Sequence, residues 1–275
     1  MRKTTTKQLR FEKLEDRRTM AGNVTATISG GDLLITGDNS SNDILIRSTG
    51  VIDQFEIVSA STTWGGSRTL INSKTTPYRF NNLNFSDDIR VVMNGGNDRV
   101  QMYGANSGFG DLDAWNDLNI NTGTGNDSVY LKYIQTGGDG LDDSDALIDL
   151  GTGANYLSAA YLDVDDDFRI STPDISQSTS IRTKLALSNL SIGDELDIDL
   201  RWSTGIVNIT SVTCDNMFVD LYSGNDALSV RRSKVFTSSS LNGGAGTDQF
   251  NYFANVSSLS FSSMETRTQR DVVFV

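Results

Sequence analysis

Histidine is absent from the chain, and its 275 residues include one cysteine and two prolines. The first absence excludes serine–histidine and cysteine–histidine nucleophile pairs and histidine-built zinc sites. The single thiol, Cys214, precludes an intrachain disulfide and reads as a small core residue. Scarce proline suits stacked strands, because proline removes a donor from a hydrogen-bonded ladder. Long apolar runs are missing too: none approaches the ~20 residues of a membrane span. Beyond residue 22 no extended stretch carries a clean 3.6-residue period, so helix is poorly supported. Glutamate is confined to Glu12, Glu15, Glu56, Glu195 and Glu265, so nearly all of the 35 acidic residues are aspartate. With 23 lysines and arginines the net charge is −12, which makes nucleic acid an unfavourable partner. A merely soluble surface would mix the two acids. Aspartate suits turns, where its short side chain caps local amides, and it suits calcium.

Glycine, by contrast, is plentiful at 25 residues, and much of it lies in a turn that recurs. Asn94-Gly95-Gly96-Asn97-Asp98 returns as Thr122-Gly123-Thr124-Gly125-Asn126-Asp127, as Ser223-Gly224-Asn225-Asp226 and as Gly243-Gly244-Ala245-Gly246-Thr247-Asp248. A further copy, Leu150-Gly151-Thr152-Gly153-Ala154-Asn155, has asparagine in the aspartate's place. The stretch from Asn155 to Asp226 is long enough for three more repeats of the same size. Alternating apolar segments precede the turns: Ile89 to Met93, Leu118 to Ile120, Ala146 to Leu150, Leu196 to Leu200 and Met217 to Leu221. Period-2 alternation marks half-buried strands, so Leu196, Ile198 and Leu200 should face inward and Asp197 and Asp199 outward. One turn repeated between strands is the mark of a solenoid. The expected fold is all-β, a right-handed parallel β-helix with two or three short strands per coil. Four short strands between Val24 and Val58 read as a small antiparallel N-terminal cap covering an open edge. The run Asp271 to Val275 reads as a last strand closing the other end.

The first residues stand apart from this body. Arg2, Lys3, Lys7, Arg10, Lys13, Arg17 and Arg18 crowd the start of an otherwise acidic chain, without the apolar core of an ordinary signal peptide. The expected organisation is a basic segment at 1–22 and one solenoid domain at 23–275, with cap-like strands at 23–60. Arg10-Phe11-Glu12-Lys13-Leu14-Glu15-Asp16-Arg17-Arg18-Thr19-Met20-Ala21 resembles the N-terminal LEPR element of exported planctomycete proteins and large bacterial surface proteins. Asp16 replaces the usual proline, and Thr19-Met20 the usual leucines. The resemblance implies export, so that the protein would be secreted or held at the cell surface.

The turn at Gly243 to Asn251 is similar to the hemolysin-type (RTX) nonapeptide, and Gly137-Gly138-Asp139-Gly140-Leu141-Asp142 matches its first six positions. In that family the aspartates bind calcium, so the resemblance implies metal ligation by Asp98, Asp127, Asp139, Asp142, Asp226 and Asp248. Aspartates stacked at the ~4.8 Å spacing of strands repel unless one holds a proton or a cation lies between them. The competing expectation is capping alone, with asparagine in the left-handed conformation and aspartate making a local Asx-type bond. Unlike RTX rolls, the copies here are not in immediate tandem. Two other acidic groups stand out, Asp163 with Asp165, Asp166 and Asp167, and Asp142 with Asp143 and Asp145.

The expected function is a structural or adhesive surface or matrix protein, with surface glycan or matrix components as partners. The alternative is a carbohydrate-active β-helix enzyme, a lyase or glycosidase, drawing on outward acids such as Asp197, Asp199 and Asp220, on Lys184, Arg201, Arg231 or Arg232, and on Trp64, Trp115 or Trp202. No constellation is specific enough to name a reaction.

Overall fold

The structure is a computed structural model. It describes residues 22–270 except 50, 52–53, 61–67, 82–87, 105–111, 115, 138–143, 174–180, 202, 254–259, 263 and 265. The basic segment, Asp139, Asp142, all three tryptophans and the C-terminal run from Asp271 lie outside the described residues.

The described residues are all-β, with no helix among them. Most strands pair in parallel, in register and one repeat apart, building three ladders. The first joins Asp32–Thr36, Ile89–Val92, Leu118–Asn121, Ala146–Asp149, Phe168–Ser171 and Glu195–Asp199, then continues onto the end of Thr204–Asp220 and onto Lys234–Asn242. The second joins Asp43–Ser48, Arg99–Tyr103, Ser128–Thr136, Tyr156–Val164, Arg182–Ile192, the start of Thr204–Asp220, Ala227–Arg231 and Gln249–Phe253. The third is formed by the far ends of the same long strands. Leu112 pairs with Ile134, Ile134 with Leu162 and Leu162 with Leu190.

The inner faces follow from alternation. Ile35, Val91, Ile120, Ile148, Ile170, Ile198, Val219 and Leu241 stack in one fully buried column of the first ladder. Ile44, Val100, Val129, Leu157, Leu185, Val207, Leu228 and Phe250 do so in the second. β-branched side chains fit this pleated, half-buried setting. As expected, Leu196, Ile198 and Leu200 are buried, while Asp197 and Asp199 are half-exposed. The interval from Asn155 to Asp226 does contain three repeats, because Tyr156 pairs with Lys184, Lys184 with Ile206 and Ile206 with Ala227.

At the N-terminus, Asn23–Ser29 lies antiparallel on Asp32–Thr36, and Gln54–Ser59 lies antiparallel between Asp43–Ser48 and Tyr78–Asn81. The antiparallel segment is therefore also the first repeat, since Asp32–Thr36 and Asp43–Ser48 start the parallel ladders. Glu56 is 7% exposed there and is held by Arg47 at 2.9 Å and Arg79 at 3.3 Å.

Candidate functional site

The recurrent turn needs two positions with φ > 0. Asn94, Gly123, Gly151, Tyr222 and Gly244 hold the first, and Gly96, Gly125, Gly153, Gly224 and Gly246 the second. At Gly96, Gly125, Gly153 and Gly246 the second is closed to a side chain: a Cβ on Gly125 would lie 1.7 Å from the Gly96 carbonyl oxygen. The left-handed positions are thus Asn94, Tyr222 and the glycines, whereas Asn97, Asn126 and Asn225 have negative φ. The asparagine of each Gly-Asn-Asp turn has a different task.

That task is a bond between repeats. Asn97 Oδ1 accepts the Asn126 N–H at 2.8 Å, Asn126 Oδ1 the Ala154 N–H at 2.8 Å and Asn225 Oδ1 the Thr247 N–H at 3.0 Å. Each reaches forward to the following repeat. The neighbouring aspartate reaches back. Asp98 Oδ1 accepts the Asn42 N–H at 2.6 Å, Asp127 Oδ1 the Asp98 N–H at 2.7 Å, Asp226 Oδ1 the Gly205 N–H at 2.6 Å and Asp248 Oδ1 the Asp226 N–H at 2.8 Å. The Asn-Asp pair therefore ties one turn to both of its neighbours, and the expected local Asx bond gives way to a long-range one.

The strand register extends this column to Asn42, Asp98, Asp127, Asn155, Thr183, Gly205, Asp226 and Asp248. Its side chains point inward: Asp98 and Asp226 are 2% exposed, Asp127 1% and Asp248 0%. Oδ2 of Asp98, Asp127 and Asp226 is buried and receives no hydrogen bond. Asn155 shows what that position faces. Its Oδ1 accepts the Asp127 N–H at 2.8 Å, and its Nδ2 donates to the Leu150 carbonyl at 2.5 Å. Asn42 also donates from Nδ2, to the Ser40 carbonyl at 2.7 Å, while its Oδ1 accepts no bond. The second oxygen of the aspartates therefore occupies a place that calls for a donor. Burial pushes the Asp98 and Asp226 carboxyls up to about 7, against the pull of the amides they accept, with the neighbouring carboxyls of Asp127 and Asp248 adding to the rise. Burial raises Asp127 as well.

A second column precedes the first-ladder strands. Asp32 Oδ1 accepts the Asp88 N–H at 3.1 Å, Asp88 Oδ1 the Asp117 N–H at 3.2 Å, Asp117 Oδ1 the Asp145 N–H at 3.0 Å, Asp145 Oδ1 the Asp167 N–H at 3.2 Å and Asp167 Oδ1 the Glu195 N–H at 3.0 Å. These carboxylates all point forward, opposite to the inner column. Among them Asp32 is exposed and Asp88, Asp117 and Asp145 are half-buried. Asp145, Asp166 and Asp167 bring one oxygen each within 4.8 Å of one another, among the described residues the grouping closest to a cation site. Its oxygens already have work: Asp167 binds the Arg169 guanidinium through Oδ2 and the Glu195 amide through Oδ1. The column is signalled in the sequence by an acid directly before each apolar strand, at Asp32, Asp88, Asp117, Asp145, Asp167 and Glu195.

The outward face of the first ladder carries an open groove of about 440 Å³ whose lining includes Arg90, Asp149, Arg169, Asp197 and Asp199. Asp199 binds Arg201 at 2.9 Å, and burial followed by the Asp199 charge raises Asp197. Asp199 lies in register with Asp220. Among the described residues the lining includes acids and arginines but no aromatic ring. Cys214 is buried, its thiol pushed up to about 12 by desolvation, as a small core residue should be. Comparison of the chain with family models, with curated proteins and with solved structures gave no match.

Proposed function

We propose that the repeats are coils of a right-handed parallel β-helix serving as a rigid structural or adhesive module at the cell surface or in an extracellular matrix. The observation that supports this reading is the pair of carboxylate columns with opposite polarity. Side chains in these two columns clamp successive turns together, supplementing the strand ladders with buried and half-buried bonds. Such reinforcement suits a body that must keep its shape without disulfides. Export rests on the LEPR-like segment at residues 10–21.

In this reading the inner carboxyls are neutral acids. Each accepts an amide through Oδ1 and donates a proton from Oδ2, as Nδ2 does in Asn155. Calcium is the competing occupant. The unpartnered oxygens of Asp98, Asp127 and Asp226 favour a proton or a cation equally by charge, but calcium takes six to eight oxygens, and every inner Oδ1 is already bonded to an amide.

The scaffold reading is tested by fractionating cells that express the full chain with an epitope at its C-terminus. Recovery in the surface or extracellular fraction supports it, and recovery with cytoplasmic markers overturns it. An enzyme reading draws on the acids and arginines of the first-ladder groove. Release of reducing or unsaturated sugar ends from acidic polysaccharide, lost in Asp197→Asn, would establish it.

A further inference from the structure

Five of the eight tyrosines gather in one place on the outward side of the second and third ladders. Tyr130 and Tyr156 pack with ring centroids 5.5 Å apart, and Tyr133 stacks on Tyr161 at 5.1 Å with an interplanar angle of 24°. Lys132 places its ammonium 4.7 Å from the centre of the Tyr133 ring and 5.6 Å from that of Tyr161. A depression of about 430 Å³ lies beside them, lined by Tyr103, Tyr130, Lys132, Tyr133, Ser158 and Ala160 among others. Its lining combines small side chains with rings. Among the described residues no carboxylate lines it, although Asp163 lines the neighbouring depression with Tyr161 and the chain as a whole carries a net charge of −12. Lys184 adds a second cation next to Tyr156 in the strand register.

The backbone under the stacked pair is unusual. Tyr133 and Tyr161 occupy the corner between the second and third ladders with φ of 55° and 56°. A bulky side chain is uncommon in that region and costs conformational energy. The same corner is held by Asn189 at 54°, Ser211 at 56° and Arg232 at 49° in the later repeats. Tyr161 is nevertheless 50% exposed, so burial does not compensate for its presence. Strained residues that gain nothing in the core cluster at binding sites.

We infer that this depression binds a strand of acidic polysaccharide. A sugar ring has an apolar C–H face that can lie against the Tyr103, Tyr130 and Tyr133 rings lining the depression, with Tyr161 stacked behind Tyr133. Its hydroxyls meet the phenols and Ser158, and its carboxylate meets Lys132. A site of this kind combines aromatic surface with a few placed polar groups. The inference gives the surface module a ligand class. It rests on that reading only for an extracellular setting, so cellular location tests the module and ligand titration tests the groove.

The test is calorimetric titration of the full chain, in calcium-free buffer, with size-defined polygalacturonate oligomers and with neutral cello-oligosaccharides. Tyr133→Asn and Tyr161→Asn install the residue that Asn189 already places at this corner, so the fold is retained, as their unfolding curves will report. The expected result is binding of the acidic oligomers that falls at least tenfold in Tyr133→Asn and by less in Tyr161→Asn, which removes only the ring stacked behind it. Lys132→Gln should weaken the acidic oligomers at least fivefold without creating a preference for the neutral ones. No binding of either oligomer at millimolar concentration overturns the inference. So does binding unchanged by the tyrosine variants, a preference for the neutral oligomers, or binding abolished by Arg169→Gln in the other groove.

Discussion

Asp117 and Asp127 belong to one repeat and make the same bond in opposite directions. Asp117 accepts an amide from the repeat that follows, Asp127 from the repeat before. Their surroundings differ more than their bonds. Asp127 is 1% exposed with an unpartnered second oxygen, whereas Asp117 is half-buried and open to water. The outer column accordingly tolerates Glu195 and Asn216 at its later positions, where size and charge vary at the surface. The inner column changes only to small or uncharged residues, at Asn42, Asn155, Thr183 and Gly205. At this repeat the two turn aspartates differ in burial and not in residue type.

The contrast is most easily broken at the inner turn itself. Gly125→Ala, at φ +141° with its Cβ 1.7 Å from the Gly96 oxygen, should cost about 4 kcal/mol or more, read as loss of the cooperative unfolding transition at moderate denaturant. Next, Asp127→Ala at pH 5 leaves the buried Asp98 amide without its acceptor, for a loss of about 1–3 kcal/mol by denaturant titration. Asp117→Ala removes the matching bond on the outside, where water replaces it, and should cost less than ~1 kcal/mol. Equal losses in these two variants would erase the distinction between the columns. The smallest effect is expected from Asn126→Ala, a few tenths of a kcal/mol, because the Asn126–Ala154 bond is solvent-exposed.

Much of this was legible in the sequence. The turn aspartates at 98, 127, 226 and 248, the asparagine at 155 and the three repeats before 226 all follow from a single motif and its spacing. The direction in which those aspartates point was not legible, because Gly-Asn-Asp reads equally as a solvent-facing loop or as a turn folded inward. Thr183 and Gly205 stayed hidden because neither belongs to a recognisable turn; only strand register places them in the column. Asp32, Asp88 and Asp117 were passed over because an acid before a strand looks like an ordinary solvated boundary. The corner at Tyr133 and Tyr161 is invisible to alternation. A single left-handed residue turns the chain there between two inward-facing residues, Leu131 and Ile134.

The protonation of the inner column carries a sign. Asp98 and Asp226 rise from 3.8 in the unfolded chain to about 7 in the folded one. Between these values the native state keeps protons that the unfolded state has released, so stability is greatest near pH 4 and declines as pH rises to 7. Above 7 this contribution levels off at its lower value. The most direct measurement is denaturant unfolding of the full chain from pH 4 to pH 9, with chelator and then with millimolar calcium, beside the Asp98→Asn/Asp226→Asn double variant. The account predicts a wild type markedly less stable at pH 8 than at pH 5. It also predicts a double variant with a flatter profile that exceeds the wild type at pH 8, and no calcium dependence in either. A wild type equally stable at both pH values, or one stabilised by calcium at pH 8 through an effect the double variant loses, would contradict it and make the column a metal site.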